Sequence, residues 1–280
     1  MTTATENAVE RIASLEDPRL DDYRNLKDNS LQERSNRFVA ESFSVVCQLL
    51  QSELAVNSVL TTEARWQRLL QTPAFSDRAN KPTVYVVEQA LMDAVAGFNV
   101  HRGCLAIGVR PAAPAFAKDA RLIVALEDLV DVDNVGAIVR HACAFGADGM
   151  LLSPKAADPY YRKAIRVAMG NTFRLPIVRA TAWPDDLLAW RAQLGARILG
   201  TVVQAEGARR LRECRASREP RILVFGSEGD GLKDTTRALC DELVTIPMAN
   251  ADSLNVATAA AVFLFQLTDA ALEMETTTGD

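Results

Sequence analysis

Short apolar runs alternate with longer amphipathic stretches along this chain, and the alternation falls into two parts. In the first, strand-like runs at 56–60, 84–87 and 105–109 are interleaved with helical patterns over 33–50 and 62–70, which predicts a small α/β domain. In the second, apolar runs at 122–126, 149–152, 177–178, 198–203, 222–225 and 243–246 are separated mostly by helical segments. That rhythm predicts a mostly parallel, doubly wound sheet. Between the parts, residues 111–120 set two prolines among small residues, the composition of a semi-rigid linker. The expected organisation is therefore a first domain over 1–110, a linker over 111–120, a second domain over 121–275 and a short tail over 276–280. A last helix is expected from Ser253 to about Leu272, apolar on more sides than a surface helix needs, and so either core or interface.

Three of the apolar runs end in polar segments. Leu126 leads into an acidic turn and a helix holding Asn134, Gly136 and Arg140; Phe225 stops at Gly226-Ser227-Glu228-Gly229-Asp230-Gly231; and Ile246-Pro247-Met248 is followed by Ser253-Leu254-Asn255-Val256. Ser253 is the expected N-cap of the last helix, whose first N–H groups lack partners and carry partial positive charge. Ligands of doubly wound sheets bind outside the carboxyl ends of strands, where all three segments fall. The glycine-rich segment lacks the Lys-Ser/Thr of a phosphate loop, does not fit Gly-x-Gly-x-x-Gly, and its two carboxylates would repel a pyrophosphate. Taken singly, Asn134 reads as a turn former, Arg140 as an exposed ion-pair partner, Glu228 as a turn carboxylate and His141 as a helix-surface residue.

In this order, Asn-x-Gly-x-x-x-Arg, Gly-x-Glu-Gly-x-Gly, and Ile-Pro-Met followed by Ser-Leu-Asn-Val resemble the three motifs of the SpoU/TrmH family of RNA ribose 2′-O-methyltransferases, of the SPOUT superfamily. The resemblance implies a trefoil-knotted second domain, a homodimeric catalytic unit and S-adenosylmethionine as cofactor, whose cationic sulfonium suits Glu228 and Asp230. It also implies a first domain similar to ribosomal protein L30e that binds RNA substrate, around Phe38-Val39-Ala40-Glu41 and His101-Arg102-Gly103. On the matching positions, Arg140, Asn134, Ser253, Asn255 and Glu228 are expected in catalysis. Thr201, Val202, Gly226, Gly231, Ile246, Met248 and Leu254 are expected to hold the cofactor. Because guanidinium stays protonated at neutral pH, Arg140 is read as stabilising a developing alkoxide rather than as a base. Arg166, in Arg166-Val167-Ala168-Met169-Gly170, is similar to the family's Arg-Ala-Ser-x-Gly, with valine and alanine in place of the small and hydroxyl residues.

Composition narrows this reading. At 280 residues with 49% hydrophobic and 24% charged, the chain is long enough for two cored domains. No run has the length of a membrane span, and the polar start lacks the pattern of a signal peptide, so a cytoplasmic location is expected. Five scattered cysteines and two histidines give no metal-ligand spacing, and no metal is expected. A net charge of −5 argues against nonspecific coating of nucleic acid. Two basic clusters, Arg209, Arg210, Arg212, Arg215, Arg218 and Arg221, and Arg162, Lys163, Arg166, Arg174 and Arg179, are either solvated faces or phosphate-contacting surfaces. The expected partner is structured RNA, ribosomal more than transfer RNA. The competing readings are a catalytically silent RNA-binding or ribosome-assembly protein, and a nucleotide-binding enzyme of another type.

Overall fold

The computed structural model describes residues 9–24, 26, 36–100, 103–112, 114–215, 217 and 219–268. His101, Arg102, Arg218 and the expected tail lie outside them. The chain divides into two units, one of residues 1–112 with 160–174 and the other of residues 113–159 with 175–280.

The first unit carries a five-stranded sheet. Its elements are β1 (Val9–Arg11), β2 (Arg37–Glu41), α1 (Phe43–Gln51), β3 (Val56–Thr61), α2 (Glu63–Leu70), α3 (Pro73–Ser76), β4 (Thr83–Val86), α4 (Gln89–Ala96) and β5 (Cys104–Val109). The strand order is β1-β4-β3-β5-β2, parallel from β1 to β3 and antiparallel thereafter. The helix expected over 33–50 is shorter than its pattern suggested. Residues 37–41 pair with β5 as an edge strand, and helix begins only after Ser42, whose φ of 89° breaks the regular backbone.

The second unit carries seven parallel strands: β6 (Leu122–Leu126), β7 (Gly149–Leu152), β8 (Ile177–Arg179), β9 (Arg197–Val202), β10 (Arg209–Arg210), β11 (Arg221–Phe225) and β12 (Glu242–Thr245). Its helices are α5 (Val132–Ala144), α7 (Asp185–Leu194), α8 (Asp234–Arg237) and α9 (Val256–Leu267). In chain order α6 (Arg162–Val167) falls between β7 and β8, yet segment 160–174 packs in the first unit. There Tyr160 and Phe173 have their ring centroids 5.2 and 5.3 Å from that of Phe38, and Arg162 pairs with Glu41.

The strand order β10-β12-β9-β11-β6-β7-β8 explains why the middle strands are apolar on both faces. All five residues of β6 are buried, as are Ile222–Phe225 of β11, because helices cover both sides of a parallel sheet. The chain winds outward from β6 through β7 and β8, then returns to lay β9, and β11 fills the gap between β9 and β6. Such a reversal opens a crevice at the carboxyl ends of the strands. The stretch expected as linker is docked at its second half, where buried Phe116 meets the Trp190 ring at 4.5 Å.

Candidate functional site

At the carboxyl ends of β9, β11 and β12 lies a cavity of about 440 Å³, within the range of small-molecule sites. Its apolar wall comes from Val202, Phe225, Ile246, Leu254 and Phe263, and its polar residues include Gln204, Glu228, Asp230, Arg237, Ser253 and Asn255. Thr201, Gly226, Gly231 and Met248 also line it. All seven residues expected at a cofactor site thus share one cavity. The Thr201 hydroxyl donates to the Val224 carbonyl at 3.0 Å, so this side chain ties β9 to β11.

The glycine-rich loop leaves β11 and closes on itself. The Ser227 and Gly231 backbones exchange two hydrogen bonds of 3.1 Å, and Gly231 has φ of 67°, a conformation that glycine adopts without strain. A Cβ on Gly226 would stand 2.1 Å from the Gly231 carbonyl carbon. Only glycine permits that closure.

The turn that follows the loop is anchored by Glu127, which is 1% exposed. Its carboxylate accepts from Trp183 Nε1 at 2.7 Å, from the Lys233 backbone N–H at 2.9 Å and from Thr236 Oγ1 at 2.5 Å. Three donors compensate a buried carboxylate for lost water. Next to it, Asp128 accepts from Lys233 Nζ at 2.5 Å and from Ser153 Oγ at 2.8 Å. Burial pushes the Asp128 carboxyl up, but these two hydrogen bonds and the lysine charge outweigh it and hold it below its ordinary range. The sequence reading gave Glu127 no role. Its signal was a carboxylate directly after five apolar strand residues.

Three residues from three segments meet beside the cavity. Asn255 caps α9, its Oδ1 accepting from the N–H groups of Ala257 at 3.0 Å and Thr258 at 3.2 Å. This corrects the expectation for Ser253, which lines the cavity while the cap falls two residues later. The cap fixes the Asn255 amide, since an oxygen that accepts from the helix leaves nitrogen to face outward. That Nδ2 donates to Asn134 Oδ1 at 2.9 Å, and the Asn134 Nδ2 in turn donates to Glu228 Oε1. The α9 terminus, Asn134 and Glu228 therefore form a directed hydrogen-bond chain ending on a carboxylate at the cavity. Asn134 itself sits in the first turn of α5, which Asp131 caps by accepting from the Asp133 and Asn134 N–H groups.

Arg140 lies further along α5, exposed to solvent and outside the cavity lining. Partial burial of neighbouring His141 lowers its pKa, and the Arg140 charge lowers it further. Arg166 belongs to α6 in the first unit. Arg209 and Arg210 form the exposed edge strand β10, and Arg209 bonds Glu242 at 3.2 Å and the Glu213 carbonyl at 2.7 Å. Arg237 lines the cavity and went unremarked in the sequence, where nothing sets it apart.

The chain matches a family model described as the SpoU rRNA Methylase family over residues 121–265. It is 34% identical to an uncharacterized tRNA/rRNA methyltransferase of Mycobacterium bovis, over 93% of this chain and 92% of that protein. Among solved structures, an AdoMet-bound rRNA methyltransferase from Sinorhizobium meliloti superposes with a TM-score of 0.78 at 25% identity, covering 92% of this chain and 97% of that one. A structure described as an RNA 2′-O ribose methyltransferase superposes with a TM-score of 0.71 at 26% identity, covering 95% and 99%.

Proposed function

Since this chain belongs to the SpoU rRNA methylase family, we propose that its cavity binds S-adenosylmethionine and that the protein methylates a ribose 2′-hydroxyl of structured RNA, ribosomal more than transfer RNA. The observation that carries this reading is the convergence of all three motifs on one cavity, joined by the Asn255–Asn134–Glu228 chain.

The residues fit the cofactor. The apolar wall of Val202, Ile246 and Leu254 suits an adenine ring, the closed glycine loop lets backbone approach it, and Glu228 and Asp230 favour a sulfonium by charge. Bound there, S-adenosylmethionine supplies an electrophilic methyl group. The chain's own work is then to hold the acceptor ribose in line and to stabilise negative charge on its oxygen. Glu228, oriented by Asn134, is placed to fix the ribose or the sulfonium side of the cavity. Ser253, free of the capping role, is available to a ribose or phosphate at the same edge. Arg140, exposed and outside the lining, is assigned to the RNA, where a fixed positive charge lowers the cost of forming alkoxide.

We assign the first unit to RNA recognition, with Arg166 among its contacts, and the functional assembly to a homodimer. Supporting the latter, α9 turns Ala257, Ala260, Phe263, Leu264 and Leu267 inward and still exposes Val262 at 40% and Phe265 at 71%. A relative named for both tRNA and rRNA keeps transfer RNA as the alternative substrate.

The test is transfer of labelled methyl from S-adenosylmethionine to ribosomal and transfer RNA from cells lacking the protein, with mapping of alkali-resistant linkages. Label in one ribose of ribosomal RNA is expected. Label on a base overturns the 2′-O assignment, and label in transfer RNA alone overturns the substrate order. Cofactor binding with no label in either pool favours an unusual or assembly-stage RNA as substrate, and no cofactor binding favours the silent RNA-binding reading.

A further inference from the structure

Among the described residues lining the cavity, Arg237 is the one cation, facing a wall that also holds the carboxylates Glu228 and Asp230. Its Nε is buried and has no hydrogen-bond partner, and no carboxylate among the described residues forms an ion pair with it. A buried donor left unpaired costs free energy that proteins seldom leave uncompensated. The side chain is also held in place from its own backbone. The α8 turn that carries it is anchored by Glu127, which takes the Lys233 N–H and the Thr236 hydroxyl, and the Arg237 N–H donates to the Lys233 carbonyl at 2.8 Å. A cation on a rigid turn lining the cavity is organised for an anionic group of the ligand.

We infer that Arg237 binds the α-carboxylate of the amino-acid portion of the cofactor, an assignment that rests on the S-adenosylmethionine reading of this cavity. The charges match in sign and number. The amino-acid portion presents a sulfonium, an ammonium and one carboxylate, while the wall presents two carboxylates and one guanidinium. A guanidinium meets a carboxylate through parallel N–H donors.

The test measures dissociation constants by calorimetry for two ligands, S-adenosylhomocysteine and S-adenosyl-3-thiopropylamine, which lacks only the carboxylate. They are titrated into the intact wild-type protein, Arg237→Met and Arg237→Lys. Loss of the carboxylate is expected to weaken wild-type binding by about 10- to 100-fold. Arg237→Met is expected to weaken S-adenosylhomocysteine binding by a similar factor and to leave the decarboxylated ligand within about twofold, with Arg237→Lys between the two. Equal wild-type affinity for the two ligands overturns the assignment, and that comparison holds even if a variant fails to fold. Losses that multiply independently in Arg237→Met also overturn it. Wild-type protein that binds neither ligand overturns the cofactor reading itself, and the assignment with it.

Discussion

At the scale of single residues, polar side chains in this protein are placed chiefly by what they hold. Asn134 has one acceptor and one donor face, and both are used, linking Asn255 to Glu228. Asn134→Ala would release the Glu228 carboxylate from its orientation, and kcat should fall about 10²- to 10³-fold while S-adenosylhomocysteine affinity changes little; a loss confined to cofactor affinity would contradict that role. Arg140→Ala should abolish methyl transfer and leave cofactor affinity within about tenfold, because the contact proposed for it is to the transition state. A large loss of cofactor binding would argue otherwise. Glu127 is the structural counterpart of these residues. Glu127→Leu leaves Trp183 Nε1, the Thr236 hydroxyl and the Lys233 N–H without their shared acceptor, and should lower stability by on the order of 3 kcal/mol in urea unfolding. The basic clusters divide on the same principle. Arg162 lies over the Phe98 ring and pairs with Glu41, and Arg179 donates to the carbonyls of Ser153 and Ala156. These arginines hold the fold, a use that neither the solvated nor the phosphate-contacting reading included.

At the scale of elements, the loop after β11 and the helix α9 decide whether a site forms. Gly226→Ala would drive a methyl group into the Gly231 backbone, which cannot withdraw without breaking the two Ser227–Gly231 hydrogen bonds. The variant should lose cofactor binding even where its far-ultraviolet circular dichroism matches wild type; retained binding would mean that the loop can reopen without harm. On α9, Phe265 stands 71% exposed with its ring 6.1 Å from Phe145, while Ala257, Ala260, Phe263, Leu264 and Leu267 are buried. Phe265→Asp gives up the Phe145 ring contact but none of these buried residues and, on the homodimer proposal, should leave a monomer in sedimentation. An unchanged sedimentation coefficient would contradict an interface at Phe265. Periodicity located α9 because its apolar residues recur helically, but it placed the start too early. The cap went to the residue whose side-chain oxygen reaches the first free N–H groups, and that was Asn255.

At the scale of the molecule, His141 and Asp128 couple folding to pH on the acid side in the same direction. His141 has its pKa lowered on folding, so the unfolded chain binds the extra proton first and stability falls as pH drops below about 6.5. Asp128 has its pKa depressed on folding, so its contribution is present above about 3.9 and is lost as pH falls through the folded value. The melting temperature should therefore decline between about pH 7.5 and 5.5, and His141→Gln should flatten that decline; a slope indifferent to the substitution would place the titration elsewhere. By itself the sequence determined much of the architecture, because burial on both faces of a parallel sheet demands unbroken apolar strands such as 122–126 and 222–225, and those are visible as runs. Three ordered motifs also carried Asn134, Glu228 and Asn255, which the structure joins by hydrogen bonds, and Arg140, which it leaves outside the cavity lining. Only the tertiary structure decided what those residues do to one another. Asn134 and Glu228 are 94 positions apart, Glu127 and Thr236 are 109 apart, and Arg237 stands out only as the cation among the cavity's lining residues. Hydrogen bonds and desolvation act over a few ångströms, and chain order does not record which residues the sheet brings within that reach.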